Sequence, residues 1–283
     1  MSHAKFMSLK DAVAANLHDG DAACFEGFTH LIPHAAAHEA MRQGRRNLTL
    51  IRMTPDLVYD QMVGLGMAKK LIFSYVGNPG VGLLRRVRDA VESGWPQAIE
   101  IEEHSHAAMA NAYEAGAAGL PCAVFRGYKG AELARVNPNI RSVTCPFTGE
   151  VLAAVPSVRP DVTFIHAQKA NRRGDVLLEG IIGVQKEAAL AARRAVVTVE
   201  EIVEDFDGLH PNLCILPHWA LSAVAVVPGG AHPSYTQGYY GRDNAAYLEW
   251  DYIAADRERF AVWMKTHVFE ATPQDFAKRV AEL

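Results

Sequence analysis

The sequence predicts an α/β fold built on an open, mostly parallel sheet with flanking helices. Short apolar runs alternate with helix-like segments along the chain, an order typical of parallel strands joined by helices. Several of these runs end in glycine and lead directly into the start of a helix, as strands of open α/β sheets do. No repeat, low-complexity segment or change of composition marks a linker. We therefore expect residues 1–283 to form one domain, in which 126–160 could form a flap or a small subdomain.

Composition excludes several classes of function. Hydrophobic residues make up 49% and charged residues 21% of the 283 residues, and the net charge is −4, so we expect neither a nucleic-acid nor a membrane partner. The N-terminus has no apolar signal segment, and no apolar run reaches membrane-spanning length. Cys24, Cys122, Cys145 and Cys214 are widely separated, which indicates a reducing compartment and a cytoplasmic protein.

The first third of the chain reads as alternating helices and strands. Ser8, followed three residues later by Asp11, is a typical helix N-cap. The following elements are predicted in order: a helix to 17, a strand at 22–25, a helix at 34–43, a strand at 47–53, a helix at 56–65, a strand at 68–76 and a helix from 83.

The remainder continues the alternation with more turns. The predicted elements are a strand at 98–101, a helix at 107–119, a strand at 123–125, a polar loop at 126–139, a strand–turn–strand at 143–156, a strand at 161–167, a hairpin-like turn at 168–175, a strand at 176–178, a helix at 183–192, a strand at 195–199, an apolar run at 219–227, a loop at 229–235 and mixed helices at 247–283.

Two predicted strand ends carry glycines. Gly27 follows the strand at 22–25, and Gly77, Gly80 and Gly82 follow the strand at 68–76. Parallel strands end at one edge of a sheet, where ligands bind, and glycine lets backbone N–H groups approach a ligand. Ordinary tight turns would explain each exit taken alone. The spacing is neither the dinucleotide fingerprint nor a P-loop, so it does not favour a nucleotide.

A polar cluster lies between the strand at 98–101 and the next helix. It comprises Glu102, Glu103, His104, Ser105 and His106. Negative charge is stabilised near a helix N-terminus, so these residues are candidates for a substrate-facing site, with simple helix capping as the alternative. His-x-His spacing also suits metal binding, but the sequence places no third ligand beside it, and we expect no metal site.

Several stretches, in order, resemble the α-subunit of family I coenzyme A transferases, and the glutaconate type most closely. They cover roughly residues 8–250. The matching stretches are Asp19-Gly-Asp21, Glu26-Gly-Phe-Thr29, Leu48-Thr-Leu50, Ser74-Tyr-Val-Gly-Asn78, Gly119-Leu-Pro121, His166-Ala-Gln168, Ala170-Asn171 with Gly174, Val197-Thr-Val-Glu-Glu-Ile202, Gly229-Gly-Ala-His-Pro-Ser234 and Asp243-Asn244.

The resemblance implies a NagB/RpiA/CoA-transferase-like fold and transfer of CoA from an acyl-CoA to a carboxylic acid. In such enzymes a glutamate attacks the thioester and becomes a glutamyl-CoA thioester, which divides one exchange into covalent steps. That glutamate lies in a Ser-Glu-Asn-Gly motif on the β-subunit or on the C-terminal half of a fused chain. The motif is absent here. The resemblance therefore implies a separate β-subunit, an α2β2 heterotetramer, a CoA thioester as substrate and no tightly bound cofactor.

The resemblance also assigns roles to individual residues. His106 takes the place of a glutamine that stabilises the thioester oxyanion, and histidine can donate the same hydrogen bond. Glu26 replaces the first glycine of a Gly-Gly-Phe exit and is expected to add bulk and charge beside the site. The residues expected to bind substrate are Gly27, Phe28, Thr29, Gly77, Asn78 and Ser105.

Two other functions remain open at this point. A related branch hydrolyses a carbon–carbon bond of a cyclic diketone acyl-CoA with a glutamate of its α-subunit, and Glu102 and Glu103 are the candidate acid or base here. A non-catalytic CoA-binding regulator would need only the fold. Among the other histidines, we expect His166 to be buried and hydrogen-bonded and His232 to shape a loop.

Overall fold

The computed structural model describes residues 5–78, 80–206 and 213–283. Its strands are β1 Lys5–Phe6, β2 Ala22–Phe25, β3 Leu48–Ile51, β4 Ala68–Phe73, β5 Glu100–Glu103, β6 Cys122–Phe125, β7 Arg141–Thr144, β8 Val151–Pro156, β9 Val162–Asn171, β10 Val176–Leu178, β11 Arg194–Val203, β12 Cys214–Leu216 and β13 Ala223–Val226. Its α-helices are α1 Leu9–Asn16, α2 His34–Arg42, α3 Leu57–Gly64, α4 Arg85–Ser93, α5 His106–Ala117, α6 Leu133–Val136, α7 Gln185–Ala191, α8 Asn244–Ala254, α9 Arg257–Met264 and α10 Gln274–Ala281.

The main sheet is open and mostly parallel, as the sequence predicts. Its strand order is β1-β13-β11-β9-β2-β3-β4-β5, and neighbours along this path pair in parallel. Antiparallel β10 pairs with β9 and β12. Strand β2 lies in the interior of the sheet, between β9 and β3, with Phe25 opposite Phe164. The carboxyl ends of β2, β3 and β4 therefore meet at one edge.

Helices cover both faces of this sheet because the side chains of each strand alternate between them. Ala23 and Phe25 pack into the core cluster that includes α1, α2, α3 and α8. Cys24, between them in sequence, packs into the cluster formed with α5 and α7. The alternation also means that Glu26, two residues after Cys24, is directed towards α5.

A small antiparallel sheet of order β6-β8-β7 occupies residues 122–156. It coincides with most of the segment 126–160 that the sequence suggests as a flap or subdomain. The turn between β7 and β8 carries Phe147, whose side chain is 93% exposed. Whether this sheet acts as a flap stays a prediction.

Several predicted strand boundaries are wrong: the strands expected at 47–53 and 68–76 end at Ile51 and Phe73, and the first strand of the pair expected at 143–156 is Arg141–Thr144. The strand expected at 98–101 is Glu100–Glu103, the strand expected to end at 167 continues to Asn171, and the strand expected at 195–199 continues to Val203. Residues 168–171 therefore do not belong to a turn. Strands β9 and β11 support each other over their whole length, up to Asn171 beside Val203. This pairing overrides the polar residues that suggested an end. No described helix is long and apolar enough to span a membrane.

Candidate functional site

The exits of β2, β3 and β4 form what we call the ligand edge, made of residues 26–33, 52–56, 74–78 and 80–82. Both glycine-containing exits lie on it, as the sequence predicts, because β2, β3 and β4 are parallel neighbours. Tyr59 of α3 ties two of the exits together. Its hydroxyl donates to the Ile51 carbonyl at 2.7 Å and accepts from the Phe25 N–H at 3.0 Å. The ends of β2 and β3 are thus fixed by one side chain.

A buried ionic chain underlies the edge. The guanidinium of Arg52 donates to Asp56 Oδ1 at 2.8 Å and to the Gly27 carbonyl at 2.6 Å. Its Nε lies 3.9 Å from Glu26 Oε1. Arg52 and Glu26 are each 1% exposed, and buried charges of this kind need partners. Arg52 therefore fixes the backbone at the start of the loop after β2.

Glu26 lies beside the candidate site, 3.9 Å from Arg52, with its carboxylate buried in the fold; its effect on the choice of substrate stays a prediction. Its carboxylate accepts hydrogen bonds from Tyr113 of α5 at 3.0 Å and from the Gly27 N–H at 3.1 Å. Burial raises the pKa of Glu26, and Arg52 partly opposes that increase. Burial also raises the pKa of the neighbouring Cys24 thiol, which makes it a poor nucleophile.

Packing requires a glycine at position 27. A Cβ at Gly27 would lie 2.8 Å from the Ile32 Cα and 2.9 Å from the Leu31 carbonyl oxygen. Its N–H donates to Glu26 Oε1 at 3.1 Å, and substrate binding by Gly27 stays a prediction. Beyond it, Thr29 and Leu31 adopt left-handed backbone conformations, with φ of 59° and 54°. Such values are uncommon for residues other than glycine and require support from the surroundings.

The loop after β2 obtains that support from the segment 230–237. His30 Nε2 accepts from the Gln237 N–H at 3.0 Å, and its Nδ1 donates to the Ile181 carbonyl at 2.9 Å. The Ile32 N–H donates to Ser234 Oγ at 3.1 Å. Ser234 is part of the loop that the sequence predicts to be shaped around His232. Residues distant in sequence therefore hold the loop.

A small cavity opens between the exits of β2 and β3. Its volume is about 10 Å3, room for about one water molecule. Six residues line it: Thr29, Arg52, Thr54, Asp56, Arg242 and Tyr247. Two guanidinium groups and three hydroxyl groups lie close together here, and the one carboxylate among them, Asp56, is paired with Arg52. Such a set suits an anionic group. The Arg242 guanidinium lies over the Tyr247 ring, 4.2 Å from its centroid.

The third exit carries Gly77 and Asn78. Gly77 is buried, and its N–H donates to the Pro55 carbonyl at 3.2 Å. The Asn78 backbone pairs with Gly82, whereas neither Oδ1 nor Nδ2 of its side chain has a hydrogen-bond partner among the described residues. Asn78 is only 1% exposed. An unpartnered buried amide costs stability, which is typical of a group reserved for a ligand.

Phe28 has a packing role. It is half-buried and packs with the cluster around α5. A Cβ on Gly183, whose φ is +61°, would lie 2.7 Å from the Phe28 Cβ. The backbone at Gly183 therefore packs directly against Phe28 and holds its side chain beside the loop that follows β2.

His106 and Ser105 lie at the start of α5, beyond β5. Ser105 is the N-cap: its hydroxyl accepts from the Ala108 N–H at 3.1 Å, and its own N–H donates to the Tyr128 hydroxyl at 2.7 Å. This geometry matches the capping alternative. His106 is exposed. Three strand spacings separate β2 from β5, roughly 14 Å, so the fold does not bring His106 into contact with Gly27 or Thr29.

Glu102 is held by ion pairs. Its carboxylate accepts from Lys70 Nζ at 2.7 Å and from His104 Nε2 at 2.8 Å. The hydrogen bond from His104 and the charge of Lys70 lower the pKa of Glu102 to about 2, which makes it a weak base. Glu103 is exposed, and its carbonyl accepts from Asn137 Nδ2 at 2.7 Å. The surroundings of Glu102 therefore do not prepare it for acid–base catalysis.

Sequence reasoning missed Arg52, Thr54 and Arg242. Arg52 interrupts the apolar run Leu48–Met53, a signal that could have been used, since an arginine is rarely buried without a role. No local pattern marks Arg242.

The prediction for His166 is confirmed: it is fully buried and hydrogen-bonds to Thr198 at 2.8 Å and Glu200 at 2.7 Å.

Comparison with known proteins identifies the family. The family model described as coenzyme A transferase matches residues 6–226. The chain belongs to the coenzyme A transferase family. It is 61% identical over 280 residues to one subunit of the 3-oxoadipate CoA-transferase of Pseudomonas knackmussii, covering 99% of both chains. It is therefore a transferase subunit with the fold expected from the resemblance.

Two further relatives are informative. One subunit of the glutaconate CoA-transferase of Acidaminococcus fermentans is 32% identical, over 96% of this chain and 90% of the relative. The crystal structure of that transferase superposes with a TM-score of 0.89, at 31% identity, over 98% of this chain and 92% of the other. The cholesterol ring-cleaving hydrolase IpdA subunit of Mycobacterium tuberculosis is 28% identical, over 52% of this chain and 53% of its own.

Glu102→Gln is expected to lower the free energy of unfolding near neutral pH by about 1–3 kcal/mol, because Lys70 and His104 lose a carboxylate partner. The pKa of Glu102 is lower in the folded chain than its usual value. The stabilisation that the Glu102 carboxylate gives the folded chain is therefore complete above its pKa in the unfolded chain, near 4.5. It is lost as the pH falls towards about 2, the pKa in the folded chain. Urea unfolding at several pH values measures both effects.

The matched control is Glu103→Gln, which removes the same charge from an exposed neighbour. It should leave stability unchanged at every pH. A penalty for Glu102→Gln that stayed constant on acidification would contradict the ion-pair explanation.

Asn78→Ala should leave the stability of the chain unchanged within about 0.5 kcal/mol, because no described residue bonds to the amide. CoA-transfer activity of the complete enzyme should fall on the order of tenfold. Denaturant unfolding and steady-state kinetics measure the two quantities. Asn171→Ala is the control: its side chain bonds to Asp175 and to the Arg173 N–H at 3.0 Å each, so it should lose stability. Loss of stability in Asn78→Ala would show that the amide is structural.

Proposed function

We propose that this chain is the α-subunit of a two-subunit enzyme that transfers CoA from an acyl-CoA to a dicarboxylic acid of the 3-oxoadipate type. The observation that carries the proposal is the 61% identity, along 99% of the chain, to a transferase subunit named for 3-oxoadipate. The cavity between β2 and β3 supports the dicarboxylate. Arg52 and Arg242 both line it, and guanidinium groups bind carboxylates well.

The size of that cavity supports the need for a partner. Ligand pockets typically measure about 300–1,000 Å3, whereas this cavity measures about 10 Å3. A second surface placed over the ligand edge would enclose a pocket between the two chains. The printed sequence has no Ser-Glu-Asn-Gly motif, so we assign the nucleophilic glutamate to a β-subunit, in an α2β2 assembly.

In the proposed mechanism, the partner's glutamate attacks the thioester carbonyl and displaces the CoA thiolate, which leaves an acyl anhydride. The thiolate then attacks the glutamyl carbonyl, releases the first carboxylate and forms the glutamyl-CoA thioester. The acceptor acid repeats both steps in reverse. The α-subunit supplies the opposite wall, on which Thr29, Asn78 and the two arginines orient the acyl group.

The hydrolase alternative is less well supported. It needs an acid or base from this chain, and the ion pairs of Glu102 with Lys70 and His104 make that carboxylate a weak base. The similarity to the ring-cleaving hydrolase subunit extends over only half of this chain. The transferase proposal requires neither Glu102 nor Glu103 to titrate.

The decisive experiment is co-expression with the candidate β-subunit, incubation with succinyl-CoA, and treatment with borohydride. Borohydride reduces a glutamyl-CoA thioester and inactivates the enzyme permanently. We expect no transfer by the chain alone, and inactivation of the complex that depends on acyl-CoA. Peptide mapping should place the reduced glutamate on the partner.

Two results would overturn the transferase proposal. One is CoA transfer by this chain alone. The other is a complex that consumes an acyl-CoA without an acceptor acid and is unaffected by borohydride, which would support the hydrolase. Omission of acyl-CoA before borohydride is the control for non-specific reduction.

His106→Gln should preserve much of the activity of the complex, because both side chains donate a hydrogen bond to an oxyanion. His106→Ala should reduce kcat by on the order of 10²-fold. The His106 side chain is exposed, so neither variant should change stability. Equal, near-wild-type activity of the two variants would remove His106 from the oxyanion role.

A further inference from the structure

A second cavity, separate from the ligand edge, lies among the helices that cover one face of the main sheet. Its volume is about 50 Å3. We call it the histidine cavity. The residues that line it are His34, His38, Leu57, Gln61, His232, Pro233, Ala246, Glu249, Trp250, Ile253, Trp263 and Arg279. They belong to α2, α3, α8 and α10, to the end of α9 and to the loop at 232–233.

The polar atoms in this cavity lack protein partners. His34 is fully buried, and neither of its ring nitrogens has a hydrogen-bond partner in the described part of the chain. The same holds for His38 Nδ1 and His232 Nδ1. Buried polar groups are nearly always satisfied, and each exception costs stability. Four such nitrogens around one cavity indicate a site that binds a polar ligand.

Arg279 makes the cavity electropositive. Its guanidinium lies 5.4 Å from the centroid of the Phe276 ring, and it donates to the His267 carbonyl at 3.4 Å. No carboxylate lies within ion-pair distance of Arg279 among residues 5–78, 80–206 and 213–283. Its charge lowers the pKa of both His38 and His232, beyond the effect of their burial. The charge of Asp275, one turn earlier on α10, also acts on Arg279, but that carboxylate forms its ion pair with Lys278. A partly buried cation without a close counter-ion favours an anion beside it.

The carboxylates near the cavity are either exposed to solvent or already hydrogen-bonded. Asp243 Oδ2 accepts from His232 Nε2 at 2.9 Å, and Glu249 is exposed, where solvent screens its charge. A metal ion does not fit: a guanidinium lines the same cavity, and the described residues contain no group of three or more His, Cys, Asp or Glu placed to hold one. The ligand is therefore an anion rather than a cation.

The hydrogen-bond donors and the volume of the cavity limit which anions fit. His34 carries one ring N–H. His38 Nε2 lies 2.9 Å from Gln61 Oε1 and donates to it, so His38 Nδ1 offers only a lone pair. His232 gives its hydrogen to Asp243 and offers only a lone pair. Much of the remaining lining is apolar, with Leu57, Trp250 and Ile253. A volume of about 50 Å3 accommodates about four water-sized groups.

We propose that the histidine cavity binds a short-chain carboxylate of about the size of acetate, with its oxygens at Arg279 and His34 and its alkyl group against Leu57, Trp250 and Ile253. This site differs from the carboxylate position proposed at Arg52 and Arg242, and it does not depend on the function proposed there.

The test is titration of the full-length chain, alone and with its partner subunit, with 13C-labelled acetate followed by NMR line broadening at constant ionic strength. We expect saturable binding to the wild type. Arg279→Gln should weaken that binding at least about tenfold. Arg259→Gln removes the same charge from an exposed guanidinium stacked on Tyr252 and should bind acetate normally.

A second variant covers the case in which Arg279→Gln does not fold. Ala246→Leu fills the cavity without a change of charge and should abolish acetate binding. Arg242→Gln alters only the site at the ligand edge, and binding in the histidine cavity should persist in it. The proposal is overturned if the wild type does not bind acetate, if both Arg279→Gln and Ala246→Leu bind it as the wild type does, or if chloride displaces it at equal concentration.

Discussion

The organisation of the ligand edge depends on one buried guanidinium. Arg52 joins the carboxylate of Asp56, the carboxylate of Glu26 and the carbonyl of Gly27, and so links the exits of two neighbouring strands. Desolvation of these charges is costly, and loss of one partner from a buried pair typically destabilises a protein by about 3–5 kcal/mol. The loop after β2, with its left-handed Thr29 and Leu31, is built on this arrangement. Geometry for substrate binding is thus obtained from an interaction that is already formed within the chain.

The candidate site combines residues from both ends of the chain. Arg242 and Tyr247 complete a cavity begun by Thr29 and Thr54, and Gln237 holds His30. The surface is preorganised before any substrate arrives, which lowers the cost of ordering it on binding. The ligand edge offers anchoring groups, and burial raises the pKa of the adjacent Cys24 thiol, which makes that thiol a poor nucleophile. Such a surface is suited to orienting an acyl group while another chain supplies the reactive atom.

Local patterns predicted the fold well and the site only in part. Strand β2, helix α2 and the Ser8 cap follow from turn residues and short-range periodicity, and the structure confirms them. Asn78 could be selected because its strand exit is visible in sequence. The partners of Glu102 and Glu26 could not: Lys70 and Tyr113 reach them through strand order and helix placement. The ends of β9 and β11 were missed for the same reason, since each is stabilised by the other.

The position of β2 has a consequence for biosynthesis. One flank of this strand pairs with β9, so that Ala22 bonds to Asp161 across a separation of 139 residues. At about 5–20 residues per second, a ribosome needs roughly 7–28 seconds to deliver that partner. During this interval an apolar strand has one unpaired side, a situation that favours aggregation of the nascent chain. The interior location that makes β2 a firm base for the ligand edge therefore delays its completion until more than half of the polypeptide has been made.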